Sequence, residues 1–169
     1  VLPSLFIGLV GFFICSYLAL FVLPADATQQ EIYRILFVHV PAAIFSELIY
    51  IFMACCGFIY LVWKTKISAI MLRSAISLGL VFTLIVLISG AIWGKPTWGT
   101  YWVWDARITS TFILLIQYIG LLALRTSFNT MQTTDQILSI VAIVGAINIP
   151  IIKFSVNWWN TLHQNASIT

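Results

Sequence analysis

Charged residues are scarce in this chain of 169 residues, where Asp, Glu, Lys and Arg together make up only 8%. A soluble domain carries about 25% charged residues, whereas 62% of the residues here are hydrophobic. So few charges cannot cover a 19.0 kDa globule in water. A soluble enzyme and a disordered chain are therefore excluded, and the eight scattered basic residues form no stripe for a nucleic acid. The composition indicates an integral membrane protein.

Cysteine is also scarce, and its spacing fits no common metal or redox motif. Cys15, Cys55 and Cys56 lie in apolar runs, and two of them are adjacent. The absence of Cys-x-x-Cys excludes a c-type cytochrome with covalently attached haem and the usual zinc sites. A Walker motif, a Ser/His/Asp set and a His-Glu-x-x-His motif are absent as well, which argues against nucleotide hydrolysis and ordinary hydrolytic catalysis.

Five apolar segments are long enough to cross a bilayer, which takes about 20 apolar residues. They cover about residues 5–23, 40–63, 75–93, 108–124 and 137–152. A barrel would show short alternating strands instead. The pattern predicts an all-α fold, a polytopic membrane helix bundle with five visible spans, in which Asn148 and Pro150 kink the last span.

The chain is expected to form a single transmembrane domain over residues 1–169 that lacks its N-terminal flank. Its first residue is Val1, and no basic segment precedes the first apolar run. That run is too long for the core of a signal peptide.

The connections between the predicted spans differ in character on the two sides of the membrane. Five spans place residues 24–39, 94–107 and 153–169 on one face, and these segments hold both histidines and five of the seven tryptophans. The opposite face has the short basic connection 64–73 and the polar connection 126–135. Lys and Arg are shared four and four between the faces, so the positive-inside rule does not decide the orientation. The basic connection favours a cytoplasmic position for its side.

The sharpest feature is the tryptophan segment, residues 93–107. Gly94, Pro96 and Gly99 are predicted to break any helix at its start. A turn from Trp98 would place Trp98 and Trp102 on one face at i,i+4. One interpretation is an interfacial aromatic belt. The other is an apolar platform for a large planar ligand, built by four tryptophans within twelve residues, Trp93, Trp98, Trp102 and Trp104.

The two histidines of the chain are both predicted on the face of the tryptophan segment. His39 starts the second span, just before Pro41 in the expected first helical turn, and His163 follows the fifth span. A histidine at a membrane interface is often only a solvent-exposed side chain with no ligand role. Neutral imidazole is also the commonest axial ligand of haem iron, and two would give a closed, six-coordinate site. A zinc site fits worse, because no third ligand completes it.

Four cations on the same face are candidate partners for the carboxylates of a ligand, and arginine matches a carboxylate bidentately. Headgroup anchoring by snorkelling is the alternative. Asp105 is predicted either to pair with Arg107 or to contact the ligand. Glu47 lies deep in a span, where an acidic group is costly, and the sequence assigns it no role. The four cations are Arg34, Lys95, Arg107 and Lys153.

Four separated motifs resemble the haem exporter protein C (CcmC) family of the cytochrome c maturation system. Trp98-Gly-Thr-Tyr-Trp-Val-Trp-Asp105 matches the Trp-Gly-x-x-Trp-x-Trp-Asp signature of haem-handling membrane proteins. The resemblance extends over nearly the whole chain and includes the following stretches: His39-Val-Pro-Ala-Ala43, the lead-in Trp93-Gly-Lys-Pro96, Asp105-Ala-Arg-Ile-Thr-Ser110 and Asn157-Trp-Trp-Asn-Thr-Leu-His-Gln164.

The resemblance implies a site that holds haem b on the periplasmic face of a bacterial inner membrane or the intermembrane face of the mitochondrial one. His39 and His163 map onto the family's axial ligands of the haem iron. Arg34 and Arg107 would neutralise the propionates. The seat for the haem would comprise Trp93, Trp98, Gly99, Trp102, Trp104 and Asp105.

The resemblance also implies partners and a sixth span. Haem would pass to the haem chaperone CcmE, with the small subunit CcmD beside the chain and the ABC-type pair CcmA and CcmB driving release. The family has six spans, so the last one would follow Thr169. The activity would be haem presentation and transfer rather than classical catalysis. The alternatives are a transmembrane haem transporter, a haem lyase subunit that shares the tryptophan signature, and a structural subunit with an aromatic belt.

Overall fold

The computed structural model describes residues 2–159, and all regular secondary structure in that range is helical. This confirms the predicted all-α fold. A π-helical turn, Leu18–Val22, extends the first helix, and a 3-10 helix, Glu31–Ile35, leads into the second. The six α-helices are α1 Leu2–Tyr17, α2 Leu36–Trp63, α3 Lys66–Trp98, α4 Ala106–Leu124, α5 Met131–Gly145 and α6 Asn148–Trp158.

The helical segments have the length and composition of membrane spans. Four stretches are long and apolar enough to cross a bilayer, namely Glu31–Trp63, Lys66–Trp98, Ala106–Leu124 and Met131–Trp158. A shorter apolar helix, Phe6–Val22, corresponds to the first predicted span. Each of the five predicted apolar segments is therefore helical, and the chain is an integral membrane protein built as a polytopic bundle.

The ends of α3 differ from the sequence prediction. The helix runs from Lys66 to Trp98 rather than from 75 to 93, so the basic connection shrinks to two residues. Gly94 and Pro96 lie inside the helix, and the prediction that they break it was wrong. Pro96 lies in the last turn of α3, where a proline disrupts few helical hydrogen bonds. The helix ends at Gly99. Its left-handed φ of 80° and its N–H bond to the Lys95 carbonyl form the C-cap.

The predicted interruption of the last span is confirmed. Helix α5 ends at Gly145, and α6 begins at Asn148. The Asn148 side chain is buried and donates from Nδ2 to the Ser110 carbonyl at 2.9 Å, which fixes α6 against α4. The proline of α2 lies further inside its helix than predicted, because a helix that begins at Leu36 places Pro41 sixth.

The core lies where α2, α3, α4 and α5 meet, and two tyrosines fill its centre. Tyr50 and Tyr118 are fully buried and pack edge to face with ring centroids 5.2 Å apart. The Tyr118 hydroxyl donates to the Ser46 carbonyl at 2.8 Å, so the ring is held in one position. A buried hydroxyl needs such a partner, because an unpaired one costs free energy in an apolar surrounding.

Replacing Gly79 by alanine is expected to destabilise the bundle. A Cβ on this α3 residue would lie 2.2 Å from ring atoms of Tyr118, which is fully buried and hydrogen-bonded. Overpacking of this kind costs about 1–3 kcal/mol, and thermal unfolding in detergent should show a lower midpoint. Gly120→Ala in α4 is the matched control, since a Cβ there meets no atom within 4 Å. An equal midpoint for both variants would contradict the close approach.

Candidate functional site

The predicted site residues of the described range gather at one end of the bundle. His39 lies in the first turn of α2, and the tryptophan segment covers the end of α3, the connection to α4 and the first residues of α4. The two elements touch, because the rings of His39 and Trp93 pack edge to face with centroids 5.7 Å apart. The structure thus brings together one predicted ligand and one predicted platform residue.

The imidazole of His39 is half-buried and held by α3. Its Nδ1 lies 2.9 Å from the Ser89 hydroxyl oxygen. Gly90 makes room for the ring, since a Cβ there would come within 3.1 Å of the imidazole Cε1. Neither Ser89 nor Gly90 was predicted as a site residue. Both are small residues in an apolar helix, and nothing in their spacing alone separates them from packing residues.

The connection between α1 and α2 lies over Trp93. The indole Nε1 donates to the Gln29 side-chain oxygen at 3.2 Å. The Asp26 carboxylate shapes this connection by accepting from the backbone N–H of Thr28 at 2.9 Å and of Gln29 at 2.8 Å. Sequence reasoning missed Gln29, because an amide in a polar connection carries no signal of its own.

The local structure around Asp26 is expected to depend on acid pH. The backbone N–H bonds from Gln29 and Thr28 lower the pKa of the Asp26 carboxyl below its ordinary value. A depressed pKa means that these bonds are present above the ordinary pKa and are lost as the pH falls through the lower value. An NMR titration of the Thr28 and Gln29 amides should have a midpoint below that of an ordinary aspartate. A midpoint at or above it would contradict this, and Asp26→Asn should remove the transition.

The connection from Gly99 to Asp105 is irregular, with bends at residues 99–101 and no helical turn. The predicted turn that would place Trp98 and Trp102 on one face was therefore wrong, because Gly99 ends α3 and no helical turn follows it. Instead, Trp102 packs edge to face with Trp104 at 5.3 Å. Both indoles also pack against Phe112 of α4, at 5.8 and 6.1 Å. Phe112 was not predicted, since one phenylalanine in an apolar helix looks like core.

This aromatic cluster presents both an apolar face and an unused donor. Trp104 is 71% exposed, a high fraction for an indole. The Nε1 of Trp102 is buried and has no hydrogen-bond partner among residues 2–159. A buried N–H without an acceptor is costly. The cluster therefore combines an exposed indole face with a buried donor that no residue of the described range uses.

Asp105 and Arg107 take different positions at the start of α4. Asp105 is buried and is the N-cap, and its carboxylate accepts from the Ile108 N–H at 2.7 Å. Aspartate is a favoured residue at this position because it satisfies a free N–H of the first turn. The Nη2 of Arg107 lies 3.5 Å from the Lys153 carbonyl, and within the described range its buried Nε has no hydrogen-bond partner.

The guanidinium of Arg34 is already engaged. Its Nε pairs with the Glu31 carboxylate, while Nη1 and Nη2 donate to the carbonyls of Ala19 at 3.3 Å and Leu23 at 2.8 Å. These bonds tie the 3-10 helix to the end of the first helical segment. Lys95 similarly donates to the Gly99 carbonyl at 3.1 Å and closes the end of α3.

Glu47 lies within electrostatic range of cations on two other helices. It is half-buried on α2, and the charges of Arg107 and Lys153 both act on it. The sequence placed Arg107 and Lys153 on the same face of the membrane as the tryptophans but did not connect them with Glu47. Two turns separate Glu47 from His39 on one helix, so the charged cluster lies deeper than the aromatic one.

The second predicted histidine ligand, His163, lies outside the described residues. The last described part of its segment is the end of α6, where Trp158 and Trp159 pack edge to face at 5.9 Å. More than half of each indole is exposed.

Comparison with known proteins relates this chain to the haem exporter protein C family. The family model described as heme exporter protein C matches residues 1–169. The heme exporter protein C of Escherichia coli K12 is 47% identical over 144 residues, which cover 85% of this chain and 59% of the relative. A ccmC-like mitochondrial protein of cytochrome c biosynthesis from Marchantia polymorpha is 49% identical over 153 residues, 90% of this chain and 64% of the relative.

Relatives occur in bacteria and in plant mitochondria alike. The corresponding ccmC-like mitochondrial protein of Arabidopsis thaliana is 47% identical over 153 residues, which cover 90% of this chain and 57% of the relative. The chain thus spans about 57–64% of the length of these relatives.

Proposed function

Because the chain belongs to the haem exporter protein C family, we propose that it is a haem-binding membrane component of cytochrome c maturation. One observation carries the proposal most directly. A half-buried imidazole, an aromatic cluster and a half-buried arginine, whose buried Nε has no hydrogen-bond partner among residues 2–159, lie at the same end of the bundle. These are the three kinds of group that a haem requires, for its iron, its ring and its propionates.

The residues present fit haem b. Haem supplies an iron that takes neutral imidazole as an axial ligand, and His39 and His163 are the proposed ligands. Trp93, Trp98, Gly99, Trp102, Trp104 and Asp105 are the proposed seat. Of the two proposed propionate partners, Arg107 has a buried donor to offer, whereas all three guanidinium nitrogens of Arg34 have partners. We therefore assign the stronger propionate contact to Arg107.

We further propose that this end of the bundle faces the periplasm or the mitochondrial intermembrane space. Helices α3 and α4 carry the tryptophan segment at one end, and the short connection 64–65 with Lys66 at the start of α3 lies at the other. Cations concentrate in short cytoplasmic connections. The membrane would be the bacterial inner membrane or the mitochondrial inner membrane, consistent with the relatives' two sources.

The proposed activity is presentation of haem to the chaperone CcmE, with CcmD, CcmA and CcmB as the other components. The chain's own contribution is to bind, orient and release. Fixing the relative position of two reactants can itself supply much of a rate enhancement. The exposed indole of Trp104 supports a seat that is open on one side, where we propose that the chaperone approaches.

Co-expression with the chaperone tests the transfer step. The covalent haem adduct of the chaperone should accumulate with the parent chain and be lost with His39→Ala. Thr126→Ala, at the opposite end of the bundle, is the control and should leave the adduct unchanged. Accumulation of the adduct with His39→Ala at the parent level would refute this role for the site.

A transmembrane haem transporter remains the second candidate. A transporter would move haem across the membrane of sealed vesicles that contain this chain without the chaperone. We expect haem to bind to the chain and to stay on one side of the membrane.

A further inference from the structure

Ser89 occupies a position from which it can control the imidazole of His39. It lies on α3 one helical turn before Trp93 and is buried, with 9% of its surface exposed. Its hydroxyl oxygen is 2.9 Å from Nδ1 of His39. The ring is also confined by Trp93 at its edge and by the missing side chain of Gly90. The contact therefore joins two helices through one side-chain pair at a fixed orientation.

The direction of this hydrogen bond follows from the number of protons available. A serine hydroxyl has one proton to donate and two lone pairs to accept with. The Ser89 hydroxyl lies 2.5 Å from the Ile85 carbonyl oxygen and 3.2 Å from that of Val86. These carbonyls can only accept, and an oxygen–oxygen contact as short as that with Ile85 requires the hydroxyl proton between the two atoms, so we assign the proton to the Ile85 carbonyl rather than to Nδ1 of His39. The bond to His39 then requires an Nδ1–H donor.

This direction determines the tautomer of the imidazole. A neutral histidine with its proton on Nδ1 carries the lone pair on Nε2. In metal sites the other ring N–H generally donates to an oxygen, which fixes the tautomer and the ring orientation and raises ligand basicity. The Ile85 carbonyl, the Ser89 hydroxyl and the His39 ring form a relay of this type.

We propose that Ser89 is a positioning residue that holds His39 in the Nδ1–H tautomer, with Nε2 as the nitrogen that binds the haem iron. The part that concerns haem rests on the proposed function of His39 as a ligand. The part that concerns the tautomer does not, since it follows from hydrogen bonds within the protein. Ser89 acts only through His39 and is not itself a ligand.

The tautomer is tested first, in the haem-free full chain with ¹⁵N-labelled histidine. The nitrogen NMR spectrum should show His39 with a protonated Nδ1 and an unprotonated Nε2. His163→Ala removes the other histidine and assigns the signals. Ser89→Ala should shift the His39 population away from this form, whereas Ser89→Thr keeps the hydroxyl and should preserve it.

Haem affinity and midpoint potential are measured next on the same variants. Loss of an outer-shell partner typically weakens metal binding by about 10- to 100-fold, and Ser89→Ala should fall in that range with a shifted midpoint potential. Ser89→Thr should retain the parent affinity and potential. Thr83→Val is the matched control, because Thr83 is a buried α3 hydroxyl whose one hydrogen bond within residues 2–159 goes to the Gly79 carbonyl at 2.7 Å.

The two measurements separate the failure of this inference from the failure of the proposed function. A protonated Nε2 on His39 in the haem-free parent would overturn the assignment, whatever the chain does with haem. Equal affinity and potential for Ser89→Ala and Thr83→Val would overturn the positioning role. A parent chain that binds no haem would refute the proposed function and the haem part of this inference, while the nitrogen spectrum would still decide the tautomer.

Discussion

Haem affinity is expected to fall by more than about 100-fold when His39 is replaced by alanine. Loss of an outer-shell partner alone costs about 10- to 100-fold, and this substitution removes a proposed direct ligand of the iron. The cavity left behind lies next to Trp93 and Gly90, so the apolar seat stays while the iron loses one nitrogen. Titration of the purified full chain with haem, followed by absorption, gives the affinity.

Tyr33→Phe is a suitable control for the His39 variant. Its hydroxyl donates to the Pro24 carbonyl at 2.9 Å, so the change removes one hydrogen bond at the same end of the bundle without touching the proposed ligand. It should bind haem as the parent does. Unchanged affinity in His39→Ala would exclude this histidine as a ligand. His163→Ala is expected to lower haem affinity by a similar factor, and an unchanged affinity would exclude His163 as a ligand.

The second large effect is expected at the opposite end of the bundle. Arg73 of α3 pairs with Asp135 of α5, and their side chains are only 16% and 11% exposed. Breaking a buried ion pair by removing one partner costs about 3–5 kcal/mol, because the remaining charge is left without compensation. Asp135→Asn and Arg73→Met should each lower the midpoint of thermal unfolding in detergent by a clear margin.

A combined variant separates burial from pairing. Arg73→Met with Asp135→Leu removes both charges and is expected to recover most of the lost stability, since apolar replacement of a buried pair is often neutral or stabilising. Lys66→Met, an exposed cation at the same end, is the control and should change little. Single variants as stable as this control would show that the pair behaves like a surface contact.

The architecture of the bundle was predictable because membrane spans have a strong physical signature. About 20 apolar residues are needed to cross the hydrocarbon layer, and each of the five predicted segments is helical. The helix ends were less predictable. The stop at Gly99 rather than at Gly94 depends on which glycine takes the left-handed conformation, and both residues look alike in the sequence.

The candidate site was predictable only in its distinctive side chains. Histidine and tryptophan are rare, so their concentration on one face was visible before the fold was known. Their supports are ordinary residues, such as the serine hydroxyl at Ser89, the missing side chain at Gly90 and the amide of Gln29. Such residues acquire a role only through the helix that faces them, and a single sequence does not show which helices face each other.

Arg34 and Asp105 are charged residues whose contacts were likewise not visible in the sequence. Arg34 was predicted to contact a ligand, and Asp105 to contact either a ligand or Arg107. The structure shows Arg34 bonded to the carbonyls of Ala19 and Leu23 and Asp105 capping α4, while their contacts with a ligand stay predictions. A polar group near a membrane interface has backbone partners within reach, and it binds them when no ligand competes. The sequence alone does not distinguish these two uses.

We propose that one haem binds between His39 and His163 at the tryptophan-rich end of the bundle. Absorption and electron paramagnetic resonance spectra of the full chain with one equivalent of haem test it most directly, alongside the His39→Ala/His163→Ala double variant. The predicted result is a single low-spin haem per parent chain with two imidazole ligands, which the double variant lacks. A parent spectrum identical to that of the double variant would refute haem binding between His39 and His163.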